Sequence, residues 1–499
     1  MGFFESKLTL ESITSTDVCV QPRPAALPSN ISRFVEEPGF SDQAAQRLLG
    51  AVRIPTMTFD DMGPITEDER WRPFGEFHTY LQGSFPRIHS QLRLEYVGGY
   101  SLVYTWVGKD KKAEPLLLTG HLDVVPATTA LDRWTYPPFS GVIQDGWLYG
   151  RGVGDCKNNV IGIMTAVEHL IKIGWEPTKT IVMAFGQDEE SSGQRGAKKI
   201  AEYLETAYGT HGVGLIVDEG GMGLDTIYGT EFALPAVAEK GFMNIDIQVD
   251  MEGGHASVPP KHTSIGILSK VVSNIEDSAT FTPELKRDSP IWGYVSCLAR
   301  HGDASLVPTW LREAVGAKHP DFRQVAQTLA RESAAIRYLM QTSKAATIFN
   351  AGVKNNALAE VAKATFNSRV ELYSSVKSVR QIYHDLTEPI AKRYSLRLQN
   401  RTLSDEPSIG NITISWTEER DSEPSPISPF HMNQSQTGAW SIFSRAVQAT
   451  FGKNVITAPS AMTGNTGEPY LSNSIRAKLS MPLRYKILCT SSFARFLVF

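Results

Sequence analysis

Side chains that can bind metal ions stand in four short segments of the sequence. His121 begins HLDVVP, Asp155 lies in GRGVGDCK, Glu189 and Glu190 lie in GQDEESSG, and Asp218 lies in IVDEGG. Zinc accepts imidazole and carboxylate ligands, and a site with two metal ions needs a bridging carboxylate and terminal ligands on each side. His121, Asp155, Glu190 and Asp218 are therefore candidate metal ligands.

Other residues in the same segments suit different roles. Asp123 lies two residues after His121 on an extended segment, so both side chains point the same way and Asp123 can fix the imidazole tautomer. Glu189 stays free to take a proton from the attacking water. We interpret Asp188 as a residue that caps or solvates its turn, and Cys156 as a buried thiol beside the metal site.

Apolar runs before the candidate ligands predict buried parallel strands. Residues 116–118, 181–185 and 213–217 lead into the histidine, the acidic triplet and the last aspartate of the set. Such runs are typical of strands covered on both faces, and ligands in open α/β sheets gather beyond the carboxyl ends of such strands. Apolar residues at helical spacing over 160–171 predict a helix that covers the sheet.

The pattern of the sequence changes beyond residue 240. Residues 243–251 and 364–372 alternate as strands, and the apolar residues of 265–275 and 376–386 follow at helical spacing. Two such β-α runs in one insertion are typical of a split βαβ sandwich. The intervening stretch 277–343 has no pattern that indicates a role.

The composition describes an ordinary globular enzyme. The chain has 499 residues, 41% of them hydrophobic, and a formal net charge of −4, which gives no electrostatic argument for binding nucleic acid. We expect no membrane span, because no apolar run approaches about 20 residues, and the N-terminus has no apolar segment typical of a signal peptide. The four cysteines lie far apart, so we expect no disulfide framework.

Further ordered motifs allow a comparison with a known family. They are GHLDVVP, Trp134 with PPFSG, DGWLYGRG, DEE, DEGG, GGHASVP and GVKNNALAE. With these motifs, residues 45–475 resemble the carboxypeptidase S branch of the zinc aminoacylase and dipeptidase family. The resemblance implies an α/β fold, in which a mostly parallel-sheet catalytic domain carries an inserted ferredoxin-like α+β lid that serves for dimerisation.

The resemblance also implies how the chain is divided. The expected segments are an N-terminal extension, the first part of the catalytic domain, the lid, the second part of the catalytic domain and an aberrant tail, at 1–45, 46–237, 238–420, 421–475 and 476–499.

In the family pattern, each candidate residue of the catalytic domain has a role. His121 and Asp218 bind one zinc ion, and Asp155 bridges the two ions. Glu190 binds the other zinc ion, and Glu189 is the general base. The second-shell partner of the imidazole is Asp123.

The resemblance adds three lid residues. His255 stands where the family has a histidine that stabilises the oxyanion, often in the site of the other subunit. Asn356 and Arg369 occupy positions that contact the substrate. Arg369 is a candidate anchor for a carboxylate, because a guanidinium binds carboxylates through two hydrogen bonds, and an ordinary salt bridge within a strand is the alternative.

The C-terminal part departs from the family pattern. Gly467 stands at the position of an aspartate, no arginine follows until Arg476, and the last histidine is His431. The family closes the shell of the second zinc with a later histidine, so we expect one tightly bound zinc and a weak second position. Residues 476–499 contain five basic and no acidic residues, which favours a shifted frame or unspliced intron, with a real altered end as the alternative.

The sequence therefore predicts a zinc metallocarboxypeptidase or dipeptidase that hydrolyses a peptide bond next to a free carboxylate. The alternatives are an N-acyl-amino-acid amidohydrolase and a non-catalytic homologue. The expected partners are a peptide or N-acyl amino acid substrate and a second copy of the chain. Family resemblance places such a protein in the vacuolar or secretory lumen, although no signal peptide or anchor is recognised.

Overall fold

The computed structural model describes residues 19–23, 37–220, 222–418, 421–430, 438–464 and 466, and the backbone of 485–488. Of residues 222 and 223, too, it describes the backbone alone. The strands in this part of the chain are β1 (Arg93–Val97), β2 (Ser101–Trp106), β3 (Leu116–His121), β4 (Val142–Gln144), β5 (Trp147–Tyr149), β6 (Ile181–Gly186), β7 (Leu215–Asp218), β8 (Met222–Ile227), β9 (Thr230–Leu234), β10 (Ala236–Glu239), β11 (Gly241–Met251), β12 (Gly254–His255), β13 (Ala345–Ala351), β14 (Ala357–Leu358), β15 (Val361–Val370), β16 (Arg397–Leu398), β17 (Gly410–Ser415), β18 (Ile456–Thr457), β19 (Ser460–Met462) and β20 (Tyr485–Leu488).

The described residues also form twelve α-helices. They are α1 (Phe40–Val52), α2 (Arg72–Ser84), α3 (Pro86–Gln91), α4 (Lys157–Lys172), α5 (Ala197–Tyr208), α6 (Ser264–Asp277), α7 (Pro290–His301), α8 (Thr309–Gly316), α9 (Phe322–Glu332), α10 (Ala334–Leu339), α11 (Val376–Arg393) and α12 (Ala439–Phe451).

In the larger sheet, candidate ligands lie at the carboxyl ends of neighbouring central strands. Its strand order is β1-β2-β6-β3-β7-β20-β10-β19. At its centre β3 pairs in parallel with β6 and β7, and His121 aligns with Gly186. The carboxyl ends of these strands therefore meet, as the apolar runs predict, and the predicted α/β fold is confirmed.

Helices cover both faces of this sheet. On one face, the apolar side of α4 packs into the main core, with Val160, Ile163 and Met164 fully or almost fully buried. On the other face, α5 contributes Ile200 and Leu204 to a smaller core. The helix predicted over 160–171 lies within α4.

The inserted part forms a second sheet with its own core. Strands β13-β15-β11-β17-β16 form this sheet, in which β11 pairs antiparallel with β15 and β17. Helices α6 and α11 pack on it through residues such as Val271 and Val379. This α+β unit confirms the predicted ferredoxin-like lid as part of the fold, whereas the boundaries at 238 and 420 stay predictions.

Most of the stretch 277–343 is helical and packs with the catalytic side. Trp292 and Val295 of α7 and Leu311 of α8 belong to the main core rather than to the core of the lid. The fully buried Lys240 joins this stretch to the start of the lid, since its ammonium donates to the carbonyl oxygens of Tyr338 at 2.7 Å and Gln341 at 2.6 Å.

Two of the cysteines form a disulfide, contrary to the expectation from their wide spacing in the sequence. Cys19 and Cys297 are joined across 278 residues of sequence. Their spacing gives no sign of the pairing, because it depends on the contact between Cys19 and α7, which lie far apart in the sequence. Cys156 is a free, buried thiol, as predicted. Among the described helices, none combines the length and apolar character that crossing a membrane requires.

Candidate active site

His121 lies at the centre of a cluster of acidic side chains. It ends β3 and is only 1% exposed. Its Nε2 lies 2.9 Å from Oδ1 of Asp155, 3.3 Å from Oε2 of Glu219 and 3.9 Å from Oε2 of Glu189. Burial disfavours a charged ring, but the acidic neighbours outweigh that effect and raise the pKa of His121 well above 6.5. The ring is therefore placed to bind a cation in place of a proton.

Asp123 contacts both His121 and the turn that carries Glu189 and Glu190. Its carboxylate is fully buried and accepts hydrogen bonds from the Thr58 hydroxyl at 2.6 Å and from the backbone N–H groups of Glu189 and Glu190 at 3.1 and 3.0 Å. Nδ1 of His121 lies 3.3 Å from the same carboxylate and 2.9 Å from the carbonyl oxygen of Asp123. Asp123 thus contacts both the imidazole and the acidic turn formed by residues 188–190, of which the sequence predicts only the contact with the imidazole.

The two glutamates of the acidic turn have raised pKa values. Burial raises the pKa of Glu189 well above 4.5, and the carboxylates of Glu219 and Asp123 add to the shift while His121 opposes it. Burial is also the main cause that raises the pKa of Glu190 to about 7. A carboxyl group that holds its proton near neutral pH is suited to general acid–base chemistry or to a nearby cation.

Asp188, the first acid of the triplet, has a structural role. Its carboxylate accepts hydrogen bonds from the backbone N–H groups of Arg195 at 2.8 Å and Gly196 at 2.7 Å, directly before α5. It is 2% exposed. These contacts agree with its interpretation as a residue that caps the turn.

Glu219, rather than Asp218, brings its carboxylate into the cluster. Asp218 accepts hydrogen bonds from the Thr119 hydroxyl, from the Thr466 hydroxyl at 3.2 Å and from the N–H of Glu219 at 2.9 Å. Adjacent side chains in an extended segment point to opposite faces, so only one of the two acids in DEGG can face His121. The adjacent pair was the only signal in the sequence, and it does not say which acid faces the site.

Two sets of side chains have the geometry to hold metal ions. One consists of His121, Asp155, Cys156 and Glu219, and the other of His121, Glu189 and Glu190, with the potential ligand atoms of each set within 4.8 Å of one another. Imidazole and carboxylate oxygens suit zinc, and a bound cation would relieve the repulsion between these neighbouring acids. The residues present therefore fit a metal site.

A cavity of about 290 Å³ opens onto this cluster. Asp155, Glu189, Glu190 and Glu219 line it, and Thr466 closes one side. Asp155 is the most accessible of them, with 74% of its side chain exposed. The cavity therefore gives a small substrate access to the candidate ligands.

Two of the three predicted lid residues lie on an exposed ribbon, which we call the lid ribbon, formed by β12 and β14. His255 pairs with Ala357, and the N–H of Ala256 donates to the carbonyl oxygen of Asn356 at 3.0 Å. Nδ1 of His255 lies 2.7 Å from the hydroxyl of Ser257. Within the described part of the chain, neither set of candidate metal ligands includes His255.

Arg369, the third predicted lid residue, lies outside the lid ribbon. It is in β15, with its guanidinium 4.8 Å from the ring centre of Phe242. Burial lowers the pKa of Arg369, and the carboxylates of Glu189 and Glu239 oppose that shift. The negative charge of Glu189 thus favours the charged form of Arg369.

The positions of Gly467, Arg476 and His431 lie outside the described residues.

The comparisons with known proteins agree with this geometry. Residues 117–481 match Peptidase family M20/M25/M40. Carboxypeptidase S of Saccharomyces cerevisiae is 34% identical over 470 residues, which cover 91% of this chain and 80% of the relative. Human N-fatty-acyl-amino acid synthase/hydrolase PM20D1 is 33% identical over 439 residues, 86% of this chain and 78% of the relative.

Solved structures show the same fold at low sequence identity. The di-peptidase Dug1p of Saccharomyces cerevisiae has a TM-score of 0.60 at 14% identity, covering 92% of this chain and 91% of that chain. The metallo-carboxypeptidase Sso-CP2 of Sulfolobus solfataricus has a TM-score of 0.58 at 16% identity, covering 89% and 90%. The sequence matches and the shared fold lead to one conclusion: this chain belongs to Peptidase family M20/M25/M40, and it is a hydrolase.

Proposed function

We propose that the protein is a zinc-dependent carboxypeptidase or dipeptidase that hydrolyses the peptide bond next to a free carboxylate. The observation that carries this proposal is the buried cluster in which His121, Asp155, Glu189 and Glu219 converge at the ends of parallel strands. The relative named carboxypeptidase S supports the choice of substrate. Hydrolysis of unblocked dipeptides, compared with the same dipeptides carrying a C-terminal amide, tests the need for the carboxylate.

The metal site would use one histidine and three acids. We assign His121, Asp155 and Glu190 as ligands, as the sequence predicts, and take the remaining carboxylate from Glu219 instead of Asp218, whose carboxylate Thr119 engages. When bound, zinc lowers the pKa of water and polarises a carbonyl group.

We expect one tightly bound zinc and a weak second position, because this sequence has no histidine after His431 to serve as the closing ligand. Elemental analysis after dialysis against a weak chelator measures the stoichiometry. Two zinc ions per chain that resist the chelator would contradict the weak second position and leave the assignment of the first site intact.

The residues of the chain supply the remaining chemistry. Glu189 takes the proton from the attacking water and returns it to the leaving amine, a role that its raised pKa favours. Asp123 keeps the turn that carries Glu189 in place through its backbone contacts. His255 donates a hydrogen bond to the oxyanion when the lid ribbon approaches. Asn356 and Arg369 contact the substrate, and Arg369 binds its carboxylate.

An N-acyl-amino-acid amidohydrolase is the second candidate. Its supporting observation is the relative named N-fatty-acyl-amino acid synthase/hydrolase, which matches this chain nearly as well as carboxypeptidase S. Both reactions cleave an amide beside a free carboxylate. They are distinguished by measuring kcat/KM for dipeptides and for N-acyl amino acids that share the same C-terminal residue.

We further propose that the protein works in the vacuolar or secretory lumen. The disulfide between Cys19 and Cys297 supports this location, because such bonds persist in oxidising compartments. Asn400-Arg401-Thr402 and Asn411-Ile412-Thr413 match the acceptor motif for N-glycosylation. Asn400 is exposed, whereas Asn411 is 9% exposed and donates to Thr413 at 2.9 Å. A size shift on glycosidase treatment that disappears in Asn400→Gln would support a lumenal history, and cytosolic fractionation would contradict it.

Dimerisation through the lid is a separate proposal. Strand β13 lies at an edge of the lid sheet and exposes Ile348 and Phe349 by 51% and 45%. An edge strand offers backbone groups for pairing with a second copy. Light scattering of the purified protein measures the mass, and a monomer at all concentrations would contradict this proposal.

A further inference from the structure

Lys157 is a fully buried lysine that none of the roles described so far uses. It begins α4, two residues after the proposed bridging ligand Asp155. A lysine is rarely buried completely, because removing its amino group from water is costly unless hydrogen bonds replace those to water. The contacts of this side chain therefore indicate what it does.

The amino group of Lys157 connects the start of α4 to the end of α1. Its Nζ donates to the carbonyl oxygen of Ala51 at 3.0 Å and to that of Ile54 at 2.6 Å. It also lies 4.7 Å from the ring centre of Phe77 in α2. Carbonyl oxygens at the C-terminal end of a helix carry partial negative charge, so they attract such a donor. Lys157 therefore holds the end of α1 against the start of α4.

The backbone and the stem of Lys157 close the loop that carries Asp155. The N–H of Lys157 donates to the carbonyl oxygen of Gly152 at 3.1 Å, so Asp155 lies inside the closed turn 152–157. Gly152 has a φ of +89°, and a Cβ at this position would lie 3.3 Å from Cδ of Lys157. The stem of the lysine thus packs directly on the backbone of the turn.

Asp155 depends on this turn for its position. Its side chain is 74% exposed. Within the described part of the chain, its carboxylate has one hydrogen-bond partner, Nε2 of His121 at 2.9 Å. Asp123, in contrast, is held by Thr58 and by two backbone N–H groups. An exposed carboxylate with one contact takes its position from its backbone, and metal binding requires that position to be fixed within a fraction of an ångström.

We infer that Lys157 is a positioning residue of the metal site. By holding the turn 152–157 against the end of α1, it keeps the carboxylate of Asp155 in reach of His121 and the other proposed ligands. It does not line the active-site cavity, so it acts through Asp155 and not on the substrate. This inference rests on the proposed assignment of Asp155 as a metal ligand, and it names what sets the strength of that ligand.

A purely structural role is the alternative, and Lys240 provides a matched control for it. Lys240 is also fully buried, and it also donates to two backbone carbonyl oxygens, at 2.7 and 2.6 Å. It lies between β10 and β11, outside the turn 152–157. Methionine in place of either lysine keeps an unbranched stem and leaves two carbonyl oxygens without their donor. Both variants should therefore lower the midpoint of thermal unfolding.

Zinc affinity, measured by competition with a chromophoric chelator, tests the inference. We expect Lys157→Met to raise the dissociation constant of the tightly bound zinc about 10-fold or more, as is common when the support of a metal ligand is lost. Lys157→Arg keeps N–H donors and should lie between Lys157→Met and the wild type. Lys240→Met should leave the constant unchanged. An unchanged constant in a folded Lys157→Met, or an equal rise in both methionine variants, would overturn the inference.

Hydrogen exchange in the metal-free protein separates this inference from the proposed function. If the wild type binds no zinc tightly, the assignment of Asp155 and the zinc-dependent function fail, and exchange of the amides of residues 150–156 still tests the positioning. Faster exchange there in Lys157→Met than in the wild type and Lys240→Met would support it, and equal exchange in all three would overturn it. If Lys157→Met does not fold, Lys157→Gln serves in both measurements.

Discussion

The acidic cluster and the lid ribbon differ in how firmly the chain holds their side chains. His121 and Asp123 are buried, and each has several partners from β3, the acidic turn or the loop before α4. His255 and Asn356 are exposed on a two-stranded ribbon, and within the described part of the chain the ring of His255 forms hydrogen bonds with Ser257. One region is arranged before substrate arrives, and the other has room to adapt.

This difference indicates how the work is divided between the two regions. Groups that bind a metal or move protons need fixed geometry, which rigid strand ends and buried partners provide. Groups that close over a substrate need freedom to move, and few contacts make such movement inexpensive. We therefore expect changes in the cluster to affect chemistry and stability, and changes in the lid ribbon to affect chemistry alone.

The largest effect is expected from Glu189→Gln. The amide keeps the shape of the side chain but cannot take a proton, so kcat should fall about 10²–10⁴-fold. Zinc content should stay nearly constant, whereas Glu190→Gln, the matched control, should lower the occupancy of the second metal position. Steady-state kinetics and elemental analysis measure the two effects. A Glu189→Gln enzyme with normal turnover would assign the base to another residue.

His255→Ala should have the next largest effect. Loss of an oxyanion donor commonly lowers kcat about 10²–10³-fold. Because the ring is exposed, the midpoint of thermal unfolding should not change. Ser257→Ala, which removes only the neighbour of the ring, should lower kcat far less. If His255→Ala left kcat normal, the lid ribbon would have no part in the chemistry.

The sequence predicted which segments meet in the cluster, but it did not predict which acid of DEGG faces His121 or which cysteines pair. Apolar runs identify buried strands, and parallel strands place their carboxyl ends together, so the meeting of His121, Asp155 and the acidic turn could be foreseen. The choice between Asp218 and Glu219 depends on which of two adjacent side chains faces His121, and the adjacent pair in the sequence does not say which. The pairing of Cys19 with Cys297 depends on contacts between distant segments.

The lid strands could be predicted from the sequence, whereas the role of the helical stretch 277–343 could not. The alternation of apolar and polar residues predicted the lid strands, because each strand buries one face. The helices α7–α10 pack against a core contributed by other parts of the chain, including Phe232, so their role depends on the whole fold. Roles that come from a family pattern, such as those of Asn356 and Arg369, stay predictions until they are tested.

Asp123→Asn should lower the free energy of unfolding, because it removes hydrogen bonds that hold the cluster in place. The buried carboxylate accepts from Thr58 and from two backbone N–H groups, and an amide in its place turns one acceptor into a donor. Charged hydrogen bonds contribute about 1.5–3 kcal/mol each, so we expect a loss of about 2–3 kcal/mol in the free energy of unfolding of the metal-free protein. Asp155→Asn, with its exposed side chain, should cost much less. Equal losses in urea titrations would contradict the difference in rigidity.

The last prediction concerns a pH dependence that the cluster has and the lid ribbon lacks. Burial raises the pKa of Glu190 to about 7 and that of Asp188 to about 6, and the acidic neighbours raise that of His121. In each case the folded, metal-free protein holds its proton at a pH where the unfolded chain releases it. The free energy of unfolding should therefore fall as pH rises from about 5 to about 8.

Urea titrations in the presence of chelator at several pH values measure this slope. Glu190→Gln cannot release a proton and should flatten it, whereas His255→Ala should leave it unchanged because that ring is exposed in the folded protein. Saturating zinc should oppose the slope, because metal ions displace the same protons and bind more tightly as pH rises. A metal-free protein that became more stable between pH 5 and pH 8 would mean that the cluster does not hold protons as its burial requires.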